Sequence, residues 1–295
     1  MSEGKHLSLE QMPNEILEHI FSFLGKSYPV IRLVSNSFKV FYDKYYKGLK
    51  KILLRDVVVS KSLWLWSEEN GCPWNRNKLF IGAIKGEHLK VLQWAHENGC
   101  SWGEKICEKA AGYGRLEVLK WARKMGCLWD KYTCEKAAEY GHLEVLKWAR
   151  ANGCPWEEYT CAKAAHGGHL EILQWERANG CPWDEYTCAK AAHGGHLEIL
   201  QWARANDCPW DECTCASAAS GGHLIILQWA RANGCPWDEY TCTRAARNGH
   251  LEILQWARAN GCLWDGWTTW NASKWDHHKV FRWACENGCP RWEYD

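Results

Sequence analysis

Neither sign of charge is in excess in this sequence. Its 295 residues carry 36 Lys and Arg against 35 Asp and Glu, a net charge of +1. That balance argues against nucleic acid or an anionic membrane as the main partner. No apolar run approaches the ~20 residues that span a bilayer. The opening stretch MSEGKHLSLEQMP lacks the apolar core of a secretory signal. The chain is therefore expected in the cytoplasm or nucleus, soluble and not secreted. Cys-x-x-Cys and His-x-x-x-His pairs are also missing, and the step from Cys154 to Cys161 is too wide for the usual structural zinc loop. Nucleophile triads, Walker-type loops and dinucleotide fingerprints are absent. The Gly-Gly pairs at 167–168, 194–195 and 221–222 have no phosphate-loop context. No catalytic, metal-binding or cofactor-binding residue is assigned, and no enzyme activity is expected of this chain.

What the sequence does have is a repeat of 27 residues running from about Gly71 onward. Blocks 154–180 and 181–207 differ only at Glu157/Asp184, Glu176/Ala203 and Gly180/Asp207. A short fixed period means one supersecondary unit stacked many times. Such a unit cannot bury its apolar face alone, so neighbours bury it for each other. The period also accounts for most of the 17 cysteines. One column runs from Cys72 through Cys100, Cys127, Cys154, Cys181, Cys208, Cys235 and Cys262 to Cys289. The other runs from Cys107 through Cys134, Cys161, Cys188 and Cys215 to Cys242. Equivalent positions of stacked helices lie about 8–10 Å apart, beyond the ~7 Å that a disulfide tolerates. Small buried apolar thiols are the expected state.

Within one block, an acid before Glu-Tyr-Thr suits a helix start. Cys161, Ala164 and Ala165 then form one helical stripe. Gly167-Gly168 breaks that helix. Leu170, Ile172, Leu173 and Trp175 supply the apolar face of a second helix, which stops near Asn179-Gly180. Each unit reads as a helix–turn–helix hairpin with a short return. Two tryptophan columns, one containing Trp156 and the other Trp175, read as stacked core, since burying a large apolar side chain contributes roughly 1.5–3 kcal/mol. The histidine column (His88, His142, His169, His196, His223, His250, His277) is interrupted by Arg115 and falls at the inter-helix turn. Basic rows (Lys109, Lys136, Lys163, Lys190, Arg244) run beside glutamates, which makes a solvated mixed face the expectation and nucleic-acid binding unexpected.

The core from Ala164 to Leu173, followed by Asn179-Gly180, resembles the ankyrin repeat over roughly residues 60–295. Cys161 stands where that family usually has a buried leucine. The usual repeat has about 33 residues, and those missing here correspond to its β-hairpin finger. Tyr-Thr-Cys-Ala (Tyr159 to Ala162) replaces the usual Thr-Pro-Leu-His. This short, Trp- and Cys-rich form resembles the ankyrin arrays encoded by giant DNA viruses of amoebae. That likeness implies action in an infected host cell.

Residues 7–48 do not follow the period. Pro13 suits the first position of a helix, with Ile16, Leu17, Ile20, Phe21 and Leu24 as its apolar stripe. Together with Met12, the run Arg32 to Ser35 and Phe38, this segment resembles an F-box. The resemblance implies that Met12, Pro13, Ile16, Leu17, Ile20, Phe21, Leu24 and Val34 dock on a Skp-type adaptor of a cullin–RING ubiquitin ligase. The expected architecture is all-α. A three-helix F-box-like unit (7–48) leads through a linker and entry helix (49–76), the latter around Ser62–Asn70. An α-solenoid of about eight ankyrin-like hairpins without the finger (77–288) and a short tail (289–295) follow.

Target-binding positions are expected where one repeat departs from the others while the core stays fixed. Block 208–234 departs most, with Cys213 for Tyr, Ser217 for Lys, Ser220 for His and Ile225 for Glu. Trp267 and Trp270 mark the degenerate final repeat. The expected function is a monomeric adaptor that holds a target protein for ubiquitination. A plain scaffold that binds a protein without recruiting a ligase is the alternative, with 7–48 as a cap.

Overall fold

An acid opens nearly every repeat because it satisfies amides that the helix leaves unpaired. The side chains of Asp130, Asp184, Asp211, Asp238 and Asp265 each accept the backbone N–H two residues on, at 3.0–3.1 Å. The computed structural model describes residues 76–97 and 105–292, with side chains in the first stretch from Leu79 on. The F-box-like segment 7–48, the linker to 75, the entry helix, and Cys72 and Cys100 lie outside the described residues.

Among the described residues every regular element is a helix, and the helices pair into hairpins. Within the unit ending at Leu128 these are α1 (Arg76–Lys85) with α2 (Leu89–Glu97), and α3 (Ile106–Gly112) with α4 (Leu116–Lys124). The unit from Trp129 on holds α5 (Lys131–Glu139) with α6 (Leu143–Ala151), α7 (Glu158–Gly167) with α8 (Leu170–Ala178), and α9 (Glu185–Gly194) with α10 (Leu197–Ala205). It continues with α11 (Glu212–Gly221) and α12 (Leu224–Ala232), α13 (Glu239–Arg247) and α14 (Leu251–Ala259), and α15 (Gly266–Lys274) and α16 (His278–Glu286). In this second unit the first helices stack in order, α5 on α7, α9, α11, α13 and α15. This is the all-helical repeat solenoid implied by the period, with no strand among the described residues.

Small residues make that stacking possible. Cys161, Ala164 and Ala165 of α7, and their counterparts in α9, α11 and α13, are fully buried. Close approach of first helices requires such short side chains. The second helices supply bulk from Leu146, Leu173, Leu200, Leu227 and Leu254, all at 0% exposure.

The cysteine columns meet each other rather than themselves. Cys134, Cys161, Cys188, Cys215 and Cys242 sit against the thiols of Cys154, Cys181, Cys208, Cys235 and Cys262, one from each column, and this pairing together with burial pushes their own pKa values up. Cys154, Cys208 and Cys262 in turn donate to the carbonyls of Asp130, Asp184 and Asp238 at 3.4, 3.4 and 3.2 Å. The thiols are therefore weak polar pairs sealed in the core. All described cysteines are free, and all are buried except Cys213 and Cys285.

The tryptophans depart from the stacked-core expectation. Trp148, Trp156, Trp175 and Trp183 are only half-buried. Successive columns meet edge-on, as in Trp156–Trp175 at 5.7 Å and Trp183–Trp202 at 5.8 Å. An arginine covers one face of each pair. The Arg150, Arg177, Arg204 and Arg231 guanidiniums sit 4.0–4.2 Å from the rings of Trp156, Trp183, Trp210 and Trp237. The same arginines donate to the carbonyls of Cys154, Cys181, Cys208 and Cys235. Indoles are too large for the Ala/Cys interface, so they pack on the outside of the second helices.

The histidine column locks each hairpin to the one before. Nε2 of His169, His196, His223, His250 and His277 lies 3.0–3.2 Å from the carbonyl of Glu139, His166, His193, Ser220 and Arg247 respectively. Where Arg115 interrupts the column, its Nε donates to the Lys85 carbonyl at 3.0 Å, so the bond survives the change of residue. Gly195 shows the steric consequence. Its φ of +83° favours glycine, and a Cβ there would lie 2.7 Å from the His223 ring.

Candidate protein-binding face

In the second unit the second residue of every first helix except α11, which has Cys213, forms an exposed aromatic row. Tyr159, Tyr186 and Tyr240 are 37%, 51% and 59% exposed, and Trp267 continues the row. Helical spacing puts the positions five and eight residues after the helix start on the same side. Those positions hold Lys163 and His166 in α7, Lys190 and His193 in α9, Ser217 and Ser220 in α11, and Arg244 and Arg247 in α13. Acids occupy the helix starts. The face is thus laned, with carboxylates at the N-terminal ends and cations one to two turns further along.

In the acidic lane, Asp184, Asp211 and Asp238 have carboxyl pKa values pushed up. Partial burial is the main cause, and the charges of Glu185, Glu212 and Glu239 add to it. In the basic lane, burial and then the Lys190 charge hold the His166 imidazole below its usual range. Its ring stacks on His193 at 5.7 Å.

The structure brings most of the sequence-selected target residues to this face. Cys213, Ser217 and Ser220 line a cavity of about 440 Å³ with Lys190, His193 and Arg244. Three side chains smaller than the Tyr, Lys and His of neighbouring repeats leave this gap. Trp267 and Trp270 line an adjoining cavity of about 470 Å³, and Tyr240 and Arg244 border both. Ile225 does not join them. It sits in the first turn of the second helix α12, 71% exposed, and lines neither cavity. Trp267 is also engaged by the chain itself, 5.1 Å from Trp270 and 4.1 Å from Trp292.

Sequence reasoning missed Glu139, the residue that best shows what this face can do. Its carboxylate takes the ammonium groups of Lys136 at 2.7 Å and of Lys163, one repeat on, at 2.9 Å. Burial acts to raise its pKa, yet the two lysines hold it below the usual carboxylate range. The signal was a Glu where the next two repeats have His166 and His193, beside a basic row read only as solvated. Among the described residues no group of three or more His, Cys, Asp or Glu side chains is arranged to hold a metal ion. No described helix is long and apolar enough to cross a membrane.

No protein-family model and no curated protein matches the sequence. Solved structures do show a likeness, among them the ankyrin repeat domain of human ASB11, at 17% identity and a TM-score of 0.42. The match covers 53% of this chain and 84% of that one. A likeness at this level says nothing of activity or partners.

Proposed function

We propose that the chain is a protein–protein interaction adaptor whose first-helix face holds a target protein. One observation carries this reading. Three of the four residues at which block 208–234 departs from its neighbours, Cys213, Ser217 and Ser220, converge on one face and open a gap there, while the buried columns stay constant. A repeated core with changes clustered in an exposed lane is the arrangement a repeat scaffold uses to bind. The basic lane is partly neutralised by acids such as Glu139, so an extended phosphate backbone would meet few unopposed cations.

The finer reading is a ubiquitin-ligase adaptor. Its support is the F-box-like pattern at Met12, Pro13, Ile16, Leu17, Ile20, Phe21, Leu24 and Val34, which lies outside the described residues. On that reading the segment recruits a Skp-type adaptor with its cullin–RING ligase, and catalysis belongs to the ligase. The likeness of the 27-residue repeat to giant-virus arrays would place this activity in an infected host cell.

The test is co-purification of a Skp-type adaptor with the full chain, beside a variant carrying Pro13→Ala, Ile16→Asp and Leu17→Asp. Recovery with the parent chain and loss with a still-folded variant supports ligase recruitment. Recovery with neither leaves a scaffold that binds its target without a ligase.

A further inference from the structure

Two cations on the binding face stand without an acidic partner, and the space between them has been cleared. Lys190 and Arg244 border the 440 Å³ gap from the repeats on either side of α11. Neither forms an ion pair among the described residues. Between them α11 carries Ser217 in place of a basic residue and Ser220 in place of His or Arg. The gap's own acids, Glu212 and Asp238, sit at helix starts. Ser217 and Ser220 lie five and eight residues past Glu212, about 7.5 and 12 Å along the axis. The Asp238 carboxylate is already occupied, capping α13 by accepting the Tyr240 N–H at 3.1 Å.

The molecule contains its own template for what fills such a place. Glu139 occupies in α5 the position that Ser220 occupies in α11. Its carboxylate bridges Lys136 and Lys163 with 15% of the side chain exposed. At Ser220 the carboxylate is missing and the hydroxyl is primed. Asn248 Nδ2 lies 3.1 Å from Ser220 Oγ and donates to it, leaving the hydroxyl proton free to point into the gap.

We propose that the gap over Ser217 and Ser220 is a binding site for the anionic side chain of an extended target segment, clamped by Lys190 and Arg244. The anion takes the place that Glu139 takes three repeats earlier, receiving Arg244 as Glu139 receives Lys163, with Lys190 reaching it from the preceding repeat because the counterpart of Lys136 here is Ser217, together with the Ser220 hydroxyl. Arginine's planar fork suits carboxylate and phosphate alike. The inference rests on the first-helix face being the protein-binding face, and it adds the chemistry of the partner.

Cys213 provides the reporter, because it lines the gap and its thiol is exposed. Alkylation of Cys213 by iodoacetamide in the full chain is followed by mass spectrometry. Millimolar blocked nonapeptides of glycine and serine are present, with glutamate, phosphoserine, glutamine or lysine at the centre. The glutamate and phosphoserine peptides should protect Cys213 at concentrations about fivefold lower than the glutamine peptide at low salt, and the lysine peptide should not protect it. The ratio between the two anionic peptides separates carboxylate from phosphate recognition. The decisive variant is Ser220→Glu, which gives α11 the internal carboxylate that α5 already accommodates. It should abolish protection by both anionic peptides.

Equal protection by glutamate and glutamine peptides, undiminished protection of Ser220→Glu, or no protection by any peptide overturns the proposal. The underlying reading fails separately. A target that still binds after Tyr240→Ala and Ser217→Lys is not held on this face at all. A target lost with those changes but indifferent to Ser220→Glu keeps the face and removes the anion site.

Discussion

Replacing Glu176 by alanine should stabilise the array, and the gain should grow with pH. Every other second helix has alanine at this place, as in Ala149, Ala203, Ala230 and Ala257. Glu176 is 0% exposed, and neither carboxylate oxygen has a hydrogen-bond partner. Burial pushes its pKa up to about 8, and only the nearby Cys161 thiol opposes the shift. The folded chain therefore holds a proton at neutral pH that the unfolded chain releases. Stability is fully present below about pH 4.5, falls as pH rises, and levels off above about 8. At 1.36 kcal/mol per unit, the loss between pH 4.5 and 7 is about 3 kcal/mol. An unpaired neutral carboxyl adds roughly 1–3 kcal/mol at any pH. Urea unfolding of the parent and Glu176→Ala chains at pH 5, 7 and 8.5 measures both terms, since the difference cancels all other titrations. Contacts in a repeat array are between neighbours, so amide exchange across Leu170–Ala178 should show the same trend locally. A gain independent of pH, or a loss on substitution, would refute the account.

Asp207 adopts a left-handed φ of +62° where other repeats have glycine, and a Cβ at the equivalent Gly180 or Gly234 meets nothing within 4 Å. Asp207→Gly should therefore raise thermal stability by roughly 1 kcal/mol through backbone conformation alone, and a lowered melting temperature would contradict this. His223→Ala removes the hydrogen bond to the His193 carbonyl thirty residues back, which water then reaches, and should cost about 0.5–1.5 kcal/mol in urea unfolding, with faster exchange in α9 and α11. Native-state alkylation should modify Cys213 well before Cys188, Cys215 or Cys242, whose pKa values thiol pairing and then burial push up. Comparable modification rates at those sites would mean that the first-helix interface opens readily.

What was legible in the sequence was local. A 27-residue period, an acid at each helix start and Cys/Ala stripes at helical spacing determine the hairpin and its buried columns, because 3.6-residue periodicity and capping act within a turn or two. The break of pattern at Cys213, Ser217 and Ser220 was visible in the same way. The tertiary structure decided what those breaks do. Stacking brings Lys190 and Arg244 to the rim of one gap although 54 residues separate them in the chain. It also moves the tryptophans out of the first-helix interface and under arginines. Two thiol columns become cross-paired, and each histidine ties to a carbonyl thirty residues earlier. Each of these depends on the lateral offset between neighbouring hairpins. That offset follows from how closely small side chains let helices approach, a quantity set by packing rather than by spacing along the chain.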